Sequence, residues 1–273
     1  MFSPYYSAAR QRGAGDPLAH CALNVALYGA GGKRWAMTER SGRSLQRSPA
    51  RLGIGPSALS WDGSVLTVEI DEVTAPFRSP LRGTVRVHPA ALPGRSFALD
   101  AAGRHVWTPI APCARVEVAL DRPALRWDGP AYFDANAGSE PLEAGFRNWD
   151  WSRAGLRRGT AVLYDAVRRD GSTRLLALRF DPDGRVESFE PPPPVRLPGT
   201  AWRVARGTRA DAGQGASVVE TLEDTPFYAR SLLRTHLLGE RATAMHESLS
   251  LDRFRTRWVQ AMLPFRIPRA KDE

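Results

Sequence analysis

Only two of the 273 residues are cysteine, only five are histidine, and among 38 basic residues only Lys33 and Lys271 are lysine. Cys21 and Cys113 stand far apart, with neither a Cys-x-x-Cys spacing nor paired histidines nearby. A disulfide framework and a zinc site are therefore not expected, and a reducing cytoplasm is the default. No run of eighteen apolar residues occurs, and Met1–Arg12 shows no apolar stretch behind a basic start. That predicts neither a membrane-spanning helix nor a signal peptide. Gly29-Ala30-Gly31-Gly32-Lys33 has the outline of a phosphate loop, yet Leu27 and Arg34 occupy the places of its glycine and its magnesium-binding hydroxyl; it reads as a hairpin turn. Asp181-Pro182-Asp183-Gly184 begins like a calcium loop, but Pro182 and Val186 spoil it. There is no Gly-x-Ser-x-Gly elbow and no His-Glu-x-x-His, and His20, His88, His236 and His246 are scattered as structural histidines are. No metal or organic cofactor is expected.

What is abundant is arginine. The net charge of +9 is almost wholly guanidinium, as a GC-rich coding bias would give, but that does not explain its placement. Towards the end of the chain Arg253, Arg255, Arg257, Arg266, Arg269 and Lys271 interleave with Phe254, Trp258, Leu263, Phe265 and Ile267. This mixture suits an anionic membrane surface, where each basic group contributes on the order of 1 kcal/mol. No helix-turn-helix, RNP or zinc-finger pattern accompanies it, so nucleic acid is the poorer partner.

The hydrophobic pattern is mostly of period two. Leu66, Val68 and Ile70 alternate with polar residues, and so do Val85 and Val87, Val116, Val118 and Leu120, and Leu176, Leu178 and Phe180. Turn signals flank these runs at Asp62-Gly63, Ala102-Gly103, Asp128-Gly129, Asp170-Gly171 and Asp183-Gly184. Short strands so spaced predict antiparallel sheets closed into barrels or sandwiches. Phe227–Leu238 fits a helix or a strand, and Gly239-Glu240 followed by Ala242–Leu251 favours a hairpin. The run Pro191–Pro194 reads as a stiff loop within a second domain. The domain boundary is placed near residue 155, giving domains 1–155 and 156–273.

Between Arg104 and Gly138 an imidazole, two aromatic rings and an acid stand out on short, turn-rich connections: His105, Trp107, Tyr132 and Asp134. Returning strands would bring them together across turn-rich connections. An acid beside aromatic faces, with no lysine nearby, suits chemistry that makes a carbocation: the acid donates the proton and ring quadrupoles stabilise the charge. Trp-Asp-Gly and Asp-x-Asn-x-Gly are equally ordinary turn chemistry, and Trp and Tyr are ordinary core residues.

Several longer segments carry a family likeness. Phe2-Ser3-Pro4-Tyr5-Tyr6, the stretch Asp16–Gly29, Trp35–Arg40, Ile54–Ser57, Asn148–Arg153, Leu222–Arg230 and His246–Leu251 together resemble the carotenoid 1,2-hydratases, also called hydroxyneurosporene synthases, of purple photosynthetic bacteria. The resemblance implies an all-β fold of two lipocalin-like (calycin-type) barrels. It implies a cofactor-free hydro-lyase that adds water to the terminal C1=C2 bond of acyclic carotenoids such as neurosporene and lycopene. It also implies a peripheral position on the cytoplasmic side of the inner or photosynthetic membrane. The family's functional His-x-Trp falls on His105 and Trp107, and its Tyr-x-Asp on Tyr132 and Asp134. On that basis Asp134 is the proton donor, Trp107 and Tyr132 stabilise the cation, and His105 either orients Asp134 or positions the water. Ala137 stands where the family usually has a larger residue, a place where a pocket wall would slacken. The competing reading is a lipocalin-like carrier that holds a carotenoid or lipid without chemistry.

Overall fold

The computed structural model describes residues 2–29 and 31–270, so Ala30 and Lys271 of the segments above lie outside the described residues. Antiparallel strands dominate, as the period-two pattern predicts. The contacts divide the chain into two compact units that are not successive halves. One comprises Met1–Pro89, Arg115–Ala131 and Gln260–Glu273, the other Ala90–Ala114 and Tyr132–Val259. The expected boundary near residue 155 falls inside the second unit. The physical reason is two long strands, His105–Arg122 and Ala124–Gly138, each of which contributes to both units.

In the first unit, strands Leu66–Val73 and Pro80–Pro89 pair in the order expected from their alternation. Ala36, Ile70, Leu81, Val116, Val118 and Leu120 pack there as one buried cluster. In the second unit seven strands form one antiparallel sheet. Its order is Val186–Ser188, Thr173–Phe180, Thr160–Arg168, Phe146–Gly155, Glu240–Ser250, Tyr228–Leu237, Ser217–Asp224. Strand alternation sends Asp150, Ser152 and Ala154 to one face of the central strand and Trp149, Trp151 and Arg153 to the other. The first face carries the core of Ala154, Ala161, Leu163, Leu233, Leu237 and Ala244. The predicted hairpin is present: Tyr228–Leu237 pairs with Glu240–Ser250 in unbroken register, and Leu238 and Gly239, both at positive φ, make the turn.

Two expectations are corrected. The seven-stranded order is an open path, as is that of the sheet running from Ala124–Gly138 through His105–Arg122, Pro80–Pro89 and Leu66–Val73 to Leu45–Arg47, and among the described residues no pairing closes either into a barrel. Asp128-Gly129 is not a turn; the chain reverses at Pro123, and Asp128 sits within a strand, where its carboxylate pairs with Arg115. The stretch after the last strand forms short helices, Leu251–Phe254 and Arg257–Met262. Ser250 caps the first through the Arg253 N–H, and Leu251 and Phe254 bury at the helical i, i+3 spacing that a period-two reading overlooks. No helix is long and apolar enough to cross a membrane among the described residues.

Candidate active site

All four singled-out residues lie in the second unit, and they occupy strand positions rather than turns. His105 and Trp107 share a face of their strand, as Tyr132 and Asp134 share one of theirs, so alternation delivers each pair together. Trp107 is fully buried, walled by Phe97 at 5.6 Å, Tyr164 at 5.6 Å and Phe180 at 6.3 Å between ring centroids. Its one polar atom points at the acid: Nε1–H donates to Asp134 Oδ2 at 2.7 Å. The Tyr132 hydroxyl donates to the same oxygen at 2.9 Å.

That arrangement divides the labour within one carboxyl group. Oδ2 receives both donors, while Oδ1 has no hydrogen-bond partner among the described residues. A proton on Asp134 is therefore carried by Oδ1, the oxygen left free to deliver it. Burial raises the Asp134 pKa above the usual carboxylate range. The two donated hydrogen bonds oppose that rise, and beyond them Glu247 adds to it while Arg153 subtracts. Tyr132 is held neutral by burial and by the adjacent carboxyl, so it stays a donor.

Arg153 was not singled out by sequence, nor were Trp151 and Tyr164. The Arg153 guanidinium lies 5.2 Å from the Tyr132 ring centre, and Trp151 packs on the same ring at 5.5 Å. Burial lowers the Arg153 pKa, although Tyr132 and Asp134 support its charge. The signal was present in Trp149, Trp151 and Arg153, a period-two stripe inside a segment that resembled the family. A cation already over Tyr132 makes that ring a poor stabiliser of a second one. What the geometry shows of Tyr132 is the hydrogen bond to the acid.

His105 is buried beside this group, but its contacts lead elsewhere. Its backbone N–H donates to Asp100 Oδ2 at 2.8 Å, its Nε2 meets Glu140 Oε1 at 3.4 Å, and its ring packs edge-on against Phe146 at 4.9 Å. No contact joins it to Asp134, so a direct orienting role is not what the geometry shows. Two glycines make room for the imidazole. A Cβ on Gly138 would meet Nδ1 at 2.8 Å, and one on Gly145 would meet Nε2 at 2.8 Å. Gly145→Ala is expected to destabilise the fold by about 1–3 kcal/mol, read by chemical denaturation, because the buried ring has nowhere to retreat. An unchanged midpoint would mean that the ring yields freely. Ala137 alternates to the strand face opposite Tyr132 and Asp134 and is exposed, so it forms no wall beside the acid.

An acid whose pKa is raised by burial, with one oxygen accepting from two donors and lined by aromatic rings, is the titratable centre of this cluster in an all-β protein. The whole chain, residues 1–273, matches the family model described as carotenoid hydratase CrtC, and the chain belongs to that family. It is 62% identical over 270 residues to an acyclic carotenoid 1,2-hydratase of Thiocapsa roseopersicina, covering 98% of this chain and 67% of that protein. A protein of the same description from Rubrivivax gelatinosus is 52% identical over 272 residues, with the same coverages. One from Cereibacter sphaeroides is 42% identical over 270 residues, covering 98% of this chain and 95% of its own length. In fold the chain is similar to a crystal structure from Nitrosomonas europaea described as an AttH candidate. The TM-score there is 0.59 at 14% identity, over 84% of this chain and 80% of that one.

Proposed function

We propose that this chain hydrates the terminal C1=C2 double bond of acyclic carotenoids such as neurosporene and lycopene, with Asp134 as the acid. The observation that carries the reading is the Asp134 carboxyl, its pKa raised by burial, its Oδ2 accepting from Trp107 and Tyr132 and its Oδ1 without a hydrogen-bond partner among the described residues. Oδ1–H gives its proton to C2, which leaves a tertiary cation at C1; water adds to C1 and returns a proton to Asp134. At the moment of charge separation the new carboxylate stands beside the cation as its counter-ion. It is stabilised by the Trp107 and Tyr132 donors and by the Arg153 guanidinium. His105 is buried two strand positions from Trp107, which supports a part in placing the water rather than the acid. No step calls for a metal or an organic cofactor, and hydro-lyase is the class of the reaction. The pair of lipocalin-like β-units belongs to the same reading, supported by the AttH likeness.

The test is incubation with detergent-dispersed lycopene or neurosporene and mass analysis of the product. A gain of one water, with ¹⁸O from labelled solvent in the product, is expected. Binding without mass gain would make the chain a carrier. Trp107→Phe, which keeps the ring but removes the donor, is expected to slow turnover about tenfold or more, the loss of one charge-assisted hydrogen bond. Turnover at the parent rate would show that Tyr132 alone suffices.

A substrate dissolved in lipid also calls for peripheral attachment at the cytoplasmic face of the membrane. The segment 253–271 supports this less than its composition promised. Arg253 donates to the Trp202 carbonyl, Arg266 lies over Trp35 at 4.5 Å and Arg269 pairs with Glu39. Arg255, Arg257 and Trp258 remain exposed for such a contact.

A further inference from the structure

A second, unassigned surface is better built for that purpose. Within the first unit, strands Leu66–Val73 and Pro80–Pro89 are joined by the turn 74–79, and Phe77 at its tip is 86% exposed. The turn is well braced: the Thr74 N–H donates to the Ser79 carbonyl at 2.9 Å, the Ser79 N–H to Thr74 Oγ1 at 2.9 Å, and the Thr74 hydroxyl to the Phe77 carbonyl. Phe77 is thus presented, not merely left out. Gly83 backs directly onto the neighbouring strand, where an added Cβ would lie 2.4 Å from the Ala119 carbonyl oxygen and 2.5 Å from the Leu120 Cα. That strand ends at Arg122 and the chain reverses at Pro123, so both turns leave the sheet at the same end.

The same end carries Arg78, Arg82, Arg122 and Arg126, all exposed. Arg82 shares its charge with Asp71 at 2.7 Å, whereas Arg78, Arg122 and Arg126 have no ion pair among the described residues. Arg82, Arg122 and Arg126 border a hollow of about 680 Å³ together with Asp121 and the exposed Leu125. Guanidinium groups grip phosphate oxygens bidentately, and an aromatic tip beside an aliphatic side chain suits the boundary between headgroups and acyl chains.

We propose that this sheet end, with Phe77 and Leu125 as the apolar contacts and Arg78, Arg82, Arg122 and Arg126 as the phosphate contacts, docks on a bilayer bearing anionic phospholipid. A second copy of the chain fits it poorly, since a two-fold contact here would set four guanidinium groups against the same four. The proposal deepens the hydratase reading by giving it a route to a lipid-dissolved substrate, but its evidence is the surface itself.

Co-sedimentation of the full chain with vesicles of phosphatidylcholine alone, or mixed equally with phosphatidylglycerol, tests it. The unaltered chain is expected to favour the mixed vesicles, and R122Q/R126Q to lose about tenfold or more of that binding at low salt. F77S/L125S is expected to lose about tenfold on either vesicle. Circular dichroism and detergent-phase turnover matching the parent would show both variants folded. Parent-like binding by both variants would overturn the proposal. So would displacement by inorganic phosphate beyond that by chloride at equal ionic strength, which would mark a free-anion site. A concentration-dependent dimer abolished by the same substitutions would overturn it in favour of self-association. If turnover is absent from the parent while binding follows the expected order, the hydratase reading fails and the docking surface stands.

Discussion

Replacing Asp134 with asparagine is expected to lower carotenoid hydration by at least about a hundredfold while leaving the fold intact. A positioned general acid contributes about 10²–10⁴-fold, and protonation is the step that limits addition of water to an unactivated alkene. The amide nearly matches the acid in shape, and its oxygen still accepts the Trp107 and Tyr132 hydrogen bonds. What it lacks is a transferable proton on the other side of the group. The variant should therefore bind carotenoid and unfold at or above the parent's midpoint, because a half-buried carboxyl is exchanged for a neutral group. Turnover of the purified variant and of Asp134→Glu, measured with the same detergent-dispersed lycopene, checks the assignment. Asparagine activity within a few fold of the parent would remove Asp134 as donor. Partial recovery by glutamate would keep the role with the carboxylic acid, displaced by one methylene.

The strand pattern was legible because alternation is local: Val116, Val118 and Leu120 state their face without reference to any partner. The hairpin of residues 228–250 was legible from Gly239-Glu240 and the run that follows it, since residues 227–238 alone fit a helix as well as a strand. Asp128-Gly129 misled because turn chemistry and strand chemistry overlap. An Asp-Gly pair reverses the chain only if the flanking strands stop there, and the cross-strand Arg115–Asp128 pair lies in a strand that continues. The interleaved units were not legible at all, since no local signal tells a long strand that its two halves will join different cores. The candidate site divides in the same way. Each donor-bearing pair, His105 with Trp107 and Tyr132 with Asp134, is a two-residue step that strand geometry aims to one side. Arg153, Trp151 and Tyr164 come from other strands of the sheet, and nothing short of the fold brings them to Tyr132 and Trp107.

The opposite face of that sheet is expected to show a hidden pair of opposing titrations. Burial pushes the Asp150 carboxyl up to about 7, against the hydrogen bonds it accepts from Ser248 and the Gly207 N–H, with Asp165 adding a little. Burial likewise pushes the His246 imidazole down to about 4, helped by Arg206, and its Nε2 meets Ser248 Oγ at 3.1 Å. Asp150 and His246 border a cavity of about 220 Å³ with Ser152, Arg206 and Arg209, and Asp165 there is itself paired with Arg209 at 2.9 Å. The signs are opposed. Asp150 has a raised folded pKa, so its contribution is complete below about pH 4 and drains away as pH rises to about 7. His246 has a lowered one, so its contribution is complete above about pH 6.5 and drains away as pH falls to about 4. Between pH 4 and 6.5 the native state holds the Asp150 proton that the unfolded chain has lost, and lacks the His246 proton that the unfolded chain holds. The two slopes cancel, and these groups leave the parent's stability nearly flat there. Asp150→Asn keeps the acceptor for Ser248 and removes one slope, so stability should climb with pH across that interval. The upper limit is about 3 kcal/mol, from roughly two and a half units at 1.36 kcal/mol each. For the Asp150 slope that His246→Gln would leave, the realised value is smaller, because a quarter of the Asp150 side chain remains open to water. His246→Gln should show the reverse, a decline that continues to about pH 7. Urea denaturation of the three proteins at pH 4.5, 5.5, 6.5 and 7.5 measures the slopes directly. Parallel profiles for parent and both variants would mean that neither group titrates differently in the folded and unfolded chains.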